Sequence, residues 1–282
     1  MRRDRLARVT SRRGESHESR QQKFARLLRT AASAPITVTR ALPGEFTQRH
    51  GKEQYSDSQV TDDVDEQLHH LLGAPWPCPE GRRLDELMAE IRGLFATRGL
   101  GFGRNTYGWY SDADRLLCRS VWCAVRHTRP EVVIETGVAR GVTSRIVLEA
   151  MARNDLGHLW SIDLPFPFDS SLHDQTGAAV TDACRERWSY LEGSSRQRLP
   201  PLVGEVGHVE MFIHDSLHTA KNTVFETEQV ASAMPSGSVM VVDDIRMHKG
   251  FSVFARRHPE FETVVCRHDD QMGLFGLAVK TA

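Results

Sequence analysis

The chain has 282 residues, of which 40% are hydrophobic and 26% are charged, and its formal net charge is −1. This length and composition suit one large globular α/β domain with an appendage. No apolar run approaches the ~20 residues that span a bilayer, so we expect no membrane association. The pI near 6.9 argues against nucleic acid as the main partner.

Five cysteines are spread along the chain without a C-x-x-C pair. They are Cys78, Cys118, Cys123, Cys184 and Cys266. An odd number without paired spacing predicts neither a disulfide framework nor a zinc site. Reduced thiols are typical of the cytoplasm. We therefore expect a cytoplasmic protein.

The first thirty residues form a basic segment, with ten Arg and Lys residues against three acids. Such an arm binds nucleic acid, targets an organelle or is a solvated extension; the acids and the lack of an amphipathic pattern favour the extension. Residues 31–79 contain five prolines and have no regular pattern. We predict a basic, irregular extension over residues 1–80 and the folded domain over residues 81–282.

Hydrophobic periodicity begins at residue 84 and predicts two amphipathic helices. The first helix ends near Gly99, and its apolar face carries Leu84, Leu87, Met88, Ile91, Leu94 and Phe95. The second helix follows the candidate N-cap residues Ser111 and Asp112. Its inward side chains are Leu116, Leu117, Val121, Trp122 and Val125. Both stripes are typical of helices that face a core.

The stretch over residues 132–165 has the layout of a nucleotide-type ligand site. An apolar run ends in Glu135, a turn contains Gly137 and Gly141, and a later apolar run closes on Asp163. In a doubly wound α/β sheet, ligands bind at the carboxyl ends of the strands. Glycine permits a positive φ and a close approach of the ligand to the backbone. The acid is placed to accept hydrogen bonds from ribose hydroxyls.

Two later strand-like runs also stop at acids. They read VEMFIHDSLHT over residues 209–219 and SVMVVDDI over residues 238–245. Two final runs, Phe261–Arg267 and Gly273–Lys280, are separated by five residues. This spacing predicts an antiparallel hairpin that closes the sheet.

The joint order of these motifs resembles the class I S-adenosylmethionine (SAM) methyltransferases, and within them the family that includes macrolide-sugar O-methyltransferases. The turn reads ETGVARG, which is similar to the E-x-G-x-x-x-G motif of the class. The later motifs follow in the order found in the family: SIDLP, RWSYLEGSSRQRLPPL, FIHDSLHT and PSGSVMVVDDI. The resemblance covers roughly Tyr107 to Val279. It implies a Rossmann-like α/β fold: a seven-stranded, mostly parallel sheet with helices on both faces and a C-terminal antiparallel hairpin.

The resemblance also implies that SAM binds along the glycine turn and the neighbouring strand ends. The matching positions are Glu135, Gly137, Gly141, Ser144, Asp163, Ser194 and Asp215. Arg140, in the same turn, matches no diagnostic position and is expected to be exposed. Residues 166–175 are a candidate lid over the cofactor, with a plain surface loop as the alternative.

The same resemblance implies a bound divalent metal ion, with Mg2+ as the first candidate. The pKa of a sugar hydroxyl lies far above neutral pH, and a metal stabilises its developing charge. Magnesium prefers carboxylate oxygens, and the resemblance places its ligands at Asp215, Asp243 and Asp244. Adjacent strand residues face opposite sides of a sheet, so the last two acids share one metal only if the strand has ended. A capping role is the alternative for these two acids.

The general base that the resemblance implies is His218, which stands in D-x-x-H spacing after Asp215. An unperturbed imidazole titrates close to neutral pH, which suits this role. A solvent-facing position at a helix start is the alternative for His218. His214 lies inside the strand-like run, where a packed or hydrogen-bonded histidine is expected.

The sequence thus predicts a SAM-dependent O-methyltransferase that acts on a hydroxyl of a small molecule, a sugar or natural product. Two alternatives stay open. One is a hydroxylase-associated protein of the same fold in antibiotic biosynthesis, and the other is a non-catalytic SAM-binding protein. A nicotinamide oxidoreductase is disfavoured by Ala139 and by the terminal hairpin. The expected partner is the small-molecule acceptor, and a homo-oligomer stays open.

Overall fold

An eight-stranded β-sheet forms the centre of the described part of the chain. The computed structural model describes residue 55, residues 59–166 and residues 168–281, so the basic segment over residues 1–30 lies outside the described residues. The strands are β1 Val60–Thr61, β2 Val132–Thr136, β3 His158–Asp163, β4 Trp188–Glu192, β5 Met211–His214, β6 Val239–Val242, β7 Phe261–Arg267 and β8 Leu274–Lys280. Their order across the sheet is β1-β7-β8-β6-β5-β2-β3-β4.

The sheet is parallel except at one strand. Strand β8 runs antiparallel to both of its neighbours, β6 and β7, whereas the other pairs are parallel. The mostly parallel sheet and the C-terminal hairpin are therefore confirmed. The prediction of seven strands lacked β1, which pairs with Val265 and Cys266 of β7. Two strand residues in an irregular stretch carry no periodic signal, so sequence patterning could not reveal β1.

Helices cover both faces of the sheet. Within the described residues they are α1 Val64–Leu71, α2 Gly81–Thr97, α3 Arg115–Thr128, α4 Val142–Asn154, α5 Ser195–Val206, α6 Ala220–Ala231 and α7 Gly250–Arg257, with 3-10 segments Ser170–Gln175, Asp182–Arg187 and Ile245–Met247. Successive strand side chains point to opposite faces. Ile213 accordingly packs in a core with α1 to α4, and Phe212 packs in a second core with α5 to α7. None of the helices described has both the length and the apolar character needed to cross a membrane.

The two predicted helices are confirmed, with one correction at a cap. Helix α2 buries most of its predicted apolar face. Helix α3 begins at Arg115, and its N-cap is Asp114, whose Oδ1 accepts hydrogen bonds from the amides of Leu116 and Leu117. The proposed cap at Ser111 or Asp112 was therefore wrong. Two acids and a serine directly precede this helix, and any of them has the chemistry of a cap.

Residues from the predicted extension also pack against the sheet and its helices. Helix α1 buries Val64 and Leu68 completely in the same core as α2 and α3. Asp65 forms an ion pair with Arg119 of α3, and Arg267 pairs with Asp62 at 2.9 Å. The buried side chains and the Asp65–Arg119 pair pack α1 against α3.

Candidate active site

The glycine turn after β2 passes directly against the end of β5. Gly137 has φ +87°, and a Cβ added there would lie 1.9 Å from the carbonyl oxygen of Asp215. Gly141 has φ +77° and precedes α4. The positive φ expected at Gly137 is confirmed, and Gly141 adopts a positive φ as well. A side chain at Gly137 would both strain the backbone and displace the end of β5.

Asp163 holds this turn in place. Its Oδ2 accepts hydrogen bonds from the amides of Val138 and Ala139, both at 2.9 Å. Its Oδ1 accepts one from the amide of Leu164 at 2.8 Å. Burial raises the pKa of Asp163 to about 6, although these hydrogen bonds act in the opposite direction. The acid at the end of β3 therefore orders the turn; its predicted contact with ribose stays a prediction.

Glu135 is fully buried beneath the turn. Its Oε2 accepts hydrogen bonds from Ser144 at 2.6 Å and Ser161 at 2.7 Å. Its Oε1 is also buried and has no hydrogen-bond partner among the described residues. Burial raises the pKa of this carboxyl group to about 7. An orphaned buried oxygen is costly, so Glu135 has an acceptor to offer a bound ligand.

The three predicted metal-binding acids directly follow the carboxyl ends of β5 and β6. Thr136 pairs with His214, and His214 with Val242, which aligns the strand ends. Strand β6 ends at Val242, before both neighbouring acids, and Asp244 has φ +51°. The chain has therefore left the sheet, and the condition under which Asp243 and Asp244 can share one cation is met.

His218 lies between two of these acids. Its Nε2 is 3.5 Å from Oδ1 of Asp215 and 3.7 Å from Oδ2 of Asp244. The following residue, Thr219, caps α6 by accepting a hydrogen bond from the amide of Asn222. The D-x-x-H spacing thus spans the turn between β5 and α6. This turn brings the histidine back to the acids.

The acids crowd negative charge into a small volume. The pKa of Asp215 lies well above its ordinary value, because of burial and the neighbouring charges of Asp243 and Asp244. Burial also raises the pKa of Asp244. A bound cation would relieve both effects by neutralising the cluster. Oxygen ligands and this surplus of charge fit a hard divalent ion such as magnesium.

Sequence reasoning missed one residue of this cluster, His268. Its Nε2 lies 2.8 Å from Oδ1 of Asp243. Burial lowers the pKa of His268, but the hydrogen bond and charge of Asp243 dominate and raise it to about 9; the pKa of Asp243 is lowered correspondingly against the effect of its own burial. The only available signal was indirect: His268 directly follows β7, whose carboxyl end shares the sheet edge with β6.

A buried polar network supports the end of β5. His214 Nδ1 lies 2.6 Å from Oε2 of Glu226, which also accepts a hydrogen bond from Thr136. Thr223 lies between His214 and His248, with its hydroxyl oxygen 2.9 Å and 3.2 Å from their Nε2 atoms. The expectation of a hydrogen-bonded His214 is confirmed. The network fixes the strand end from which Asp215 projects.

The side chain of Arg140 is buried, so the expectation that it is exposed was wrong. It is 2% exposed, not a surface residue. Its guanidinium forms an ion pair with Asp112, donates to the carbonyl oxygen of Gly101 at 2.9 Å and to Oγ1 of Thr106 at 2.8 Å. It also lies over the ring of Phe95, 4.4 Å from the centroid. Arg140 therefore ties the glycine turn to the loop before α3.

The candidate lid packs against that same loop. Phe166 and Phe168 are buried, and Tyr107 and Trp109 contact them. The hydroxyl of Tyr107 lies 2.9 Å from that of Thr176. The segment continues into the 3-10 turn Ser170–Gln175. An aromatic cluster thus joins the segment after β3 to the loop before α3; whether the segment closes over a ligand stays a prediction.

The remaining predicted cofactor position, Ser194, precedes α5. Its hydroxyl donates to the side-chain oxygen of Gln197 at 3.1 Å. Ser144, by contrast, is fully buried and donates to Glu135. Ser144 is therefore placed to act on a ligand through Glu135. A direct contact of either serine with SAM stays a prediction.

Comparisons with known proteins agree with this fold. Residues 134–245 match the family model described as a methyltransferase domain. Among curated protein sequences, none matches the chain. The fold is similar to that of a Klebsiella pneumoniae protein assigned as an O-methyltransferase, with TM-score 0.53, 14% identity and coverage of 78% of this chain and 97% of the other.

Two further structures carry SAM or its product. The Bacillus cereus O-methyltransferase in complex with S-adenosylhomocysteine (SAH) gives TM-score 0.51 at 12% identity, covering 78% of this chain and 98% of the other. TomG of Streptomyces achromogenes, an O-methyltransferase involved in tomaymycin synthesis and bound to SAM, gives TM-score 0.51 at 13% identity, covering 82% of this chain and 100% of the other. At these identities the likeness shows the fold.

The strand order with its antiparallel β8 and the glycine turn are those of a Rossmann-like methyltransferase fold, within which residues 134–245 match the methyltransferase-domain model. The matched residues run from the end of β2 to the acids after β6. They therefore include the glycine turn and the acid cluster but not His268.

Proposed function

We propose that this protein transfers a methyl group from SAM to a hydroxyl group of a small molecule, a sugar or natural product, with the help of a divalent metal. One observation carries the proposal. The glycine turn touches the carbonyl of Asp215, and the carboxylate of the same residue meets His218. A methyl donor held along the turn would therefore lie beside a base and three acids.

Each part of the chemistry has a candidate group. SAM supplies an electrophilic methyl on a sulfonium; the acceptor oxygen takes this methyl, the carbon–sulfur bond breaks, and SAH leaves. His218 takes the hydroxyl proton at Nε2, where it lies within reach of Asp215 and Asp244. Holding donor and acceptor in line contributes up to about 7–11 kcal/mol.

The acid cluster would hold the metal. Asp215, Asp243 and Asp244 supply carboxylate oxygens, and a cation among them would place positive charge beside the acceptor hydroxyl. His268, through its contact with Asp243, orients that carboxylate from the outer side. Three ionised carboxylates and a protonated His268 carry a net charge of −2. A divalent ion would neutralise this charge, which supports the assignment.

The first test is calorimetric titration of the full chain with SAH, with and without magnesium. We expect micromolar binding, followed by transfer of labelled methyl from SAM to hydroxylated acceptors. His218→Gln is expected to retain SAH binding and lose transfer, whereas His208→Gln, at an exposed position, is expected to retain both. Absence of SAH binding under both conditions would overturn the proposal.

The two alternatives give different results in the same experiment. A non-catalytic SAM-binding protein, or a hydroxylase-associated protein of this fold, would bind SAH but transfer no methyl group to any acceptor in the screen. The presence of His218 beside the acid cluster favours catalysis, because a protein that only binds SAM needs no general base.

A further inference from the structure

A second cluster of metal-binding side chains lies away from the acid cluster, where α1 packs on α3. The sulfur atoms of Cys78 and Cys123 and a ring nitrogen of His69 all lie within 4.8 Å of one another. His127 lies beside this group of three, with Nε2 3.5 Å from the sulfur of Cys78. Two cysteines and two histidines are the ligand set of many structural zinc sites.

Two of the distances between the ligand atoms match those around a tetrahedral zinc ion. Zinc binds sulfur at ~2.3 Å and nitrogen at ~2.0 Å, so two sulfur ligands stand about 3.8 Å apart and a sulfur and a nitrogen about 3.5 Å apart. The sulfur atoms of Cys78 and Cys123 are 3.6 Å apart, and Cys78 and His127 are separated by 3.5 Å. A disulfide, with sulfur atoms about 2.05 Å apart, would require these two cysteines to approach much further.

His69 has the orientation expected of a metal ligand. It is completely buried. Its Nδ1 lies 2.5 Å from the carbonyl oxygen of Asp65, a contact that assigns the ring proton to Nδ1. Its Nε2 is buried and has no hydrogen-bond partner among the described residues. Metal-binding histidines commonly donate one ring N–H to a carbonyl and use the other nitrogen as the ligand.

The other ligands are positioned by helix geometry and by ion pairs on either side. Cys123 and His127 are four residues apart on α3, so they lie on one face of the helix. On one side of the cluster Asp65 pairs with Arg119. On the other side Arg126 donates to Glu80 at 3.1 Å. These pairs dock the segment that carries His69 and Cys78 onto the helix that carries the remaining ligands.

We propose that His69, Cys78, Cys123 and His127 bind one structural zinc ion that fastens α1 and the segment after it to α3. The site is separate from methyl transfer and does not depend on the proposed function. It replaces, for Cys78 and Cys123, the expectation of ordinary reduced thiols. Because only the folded chain brings these ligands together, zinc binding adds to the free energy of unfolding.

The test uses the full chain, produced without a polyhistidine tag and purified without chelators. Elemental analysis by mass spectrometry is expected to find about one zinc per chain. Cys123→Ser is expected to lose the zinc. Cys184→Ser, a change at a buried cysteine outside the cluster, is expected to retain it. Zinc at equal content in both variants would overturn the proposal.

Cobalt substitution gives a readout that does not depend on a variant folding well. Replacing zinc by cobalt in the wild-type chain is expected to produce thiolate-to-cobalt charge-transfer bands and the strong visible bands of a tetrahedral ion. The acid cluster has no sulfur ligands and cannot give the charge-transfer bands. A chain that takes up neither zinc nor thiolate-bound cobalt, or one with a Cys78–Cys123 disulfide after anaerobic purification, contradicts the proposal.

Discussion

The imidazole of His268 meets the carboxylate of Asp243 at 2.8 Å, between the turn that ends β7 and the acids that follow β6. This contact raises the pKa of His268 to about 9, against the effect of burial, and lowers the pKa of Asp243. Both groups are therefore charged at neutral pH. The terminal hairpin thus sets the charge state of one acid in the candidate metal site.

This pair predicts a pH-dependent contribution to stability. Because the pKa of His268 in the fold lies above its ordinary value of 6.5, the contribution is complete below pH 6.5 and is lost as the pH rises toward 9. We expect it to reach about 2–3 kcal/mol at pH values below 6.5 at which Asp243 is still ionised. Urea unfolding across this range in magnesium-free buffer is expected to show this loss for the wild type and a flatter profile for His268→Gln. Parallel profiles for the two proteins would contradict the assignment.

Replacing Gly137 by alanine is expected to destabilise the fold by at least about 2 kcal/mol, because a Cβ is strained at positive φ. The added Cβ would also lie 1.9 Å from the carbonyl oxygen of Asp215. We expect weaker SAH binding as well. Gly93→Ala is the control: Gly93 lies within α2, nothing lies within 4 Å of its added Cβ, and the change is expected to stabilise by about 0.5–1 kcal/mol. Equal unfolding midpoints for the two variants would refute the close contact.

Replacing Arg140 by methionine leaves Asp112 buried without its partner. Breaking such a pair costs about 3–5 kcal/mol, and denaturant unfolding measures the loss. Arg185→Met removes an exposed pair, in which the side chain of Arg185 is 58% exposed, and is expected to cost at most about 1 kcal/mol. A cost for Arg140→Met as small as that of the control would show that Arg140 does not fix the turn.

Asp244→Asn tests the metal assignment while keeping the size of the side chain. Asparagine also tolerates the φ of +51° at this position. Manganese is a suitable probe, because its free ion is measured directly by electron paramagnetic resonance. We expect manganese affinity to fall at least about tenfold, with SAH binding retained. Asp182→Asn, at a fully exposed carboxylate, is expected to leave both unchanged. Unaltered manganese binding in Asp244→Asn would remove this acid from the ligand set.

The sequence was most informative where function depends on local order along the chain. The glycine turn, the acid at the end of β3 and the acids after β5 and β6 each follow an apolar run, so strand periodicity places them on one sheet edge. The spacing between Asp215 and His218 lies within a single turn, which makes it readable from sequence.

Contacts between distant segments were not readable. His268 reaches Asp243 only because β8 returns beside β6. Arg140 is buried because the loop containing Asp112 folds over the glycine turn. Cys78 and Cys123 meet because α1 and the segment after it pack on α3. Without a periodic pattern or a local motif, a single sequence carries no signal for such pairings.

Strand β1 has a consequence for how the protein behaves at high concentration. It occupies the hydrogen-bonding groups of β7 at Val265 and Cys266, and the ion pair between Asp62 and Arg267 adds charge beside it. An open strand edge is a template for pairing with another chain, and a short, charged covering strand prevents this. A protein shortened to begin at residue 64 would lose this cover, and edge-to-edge self-association would then compete with the native fold.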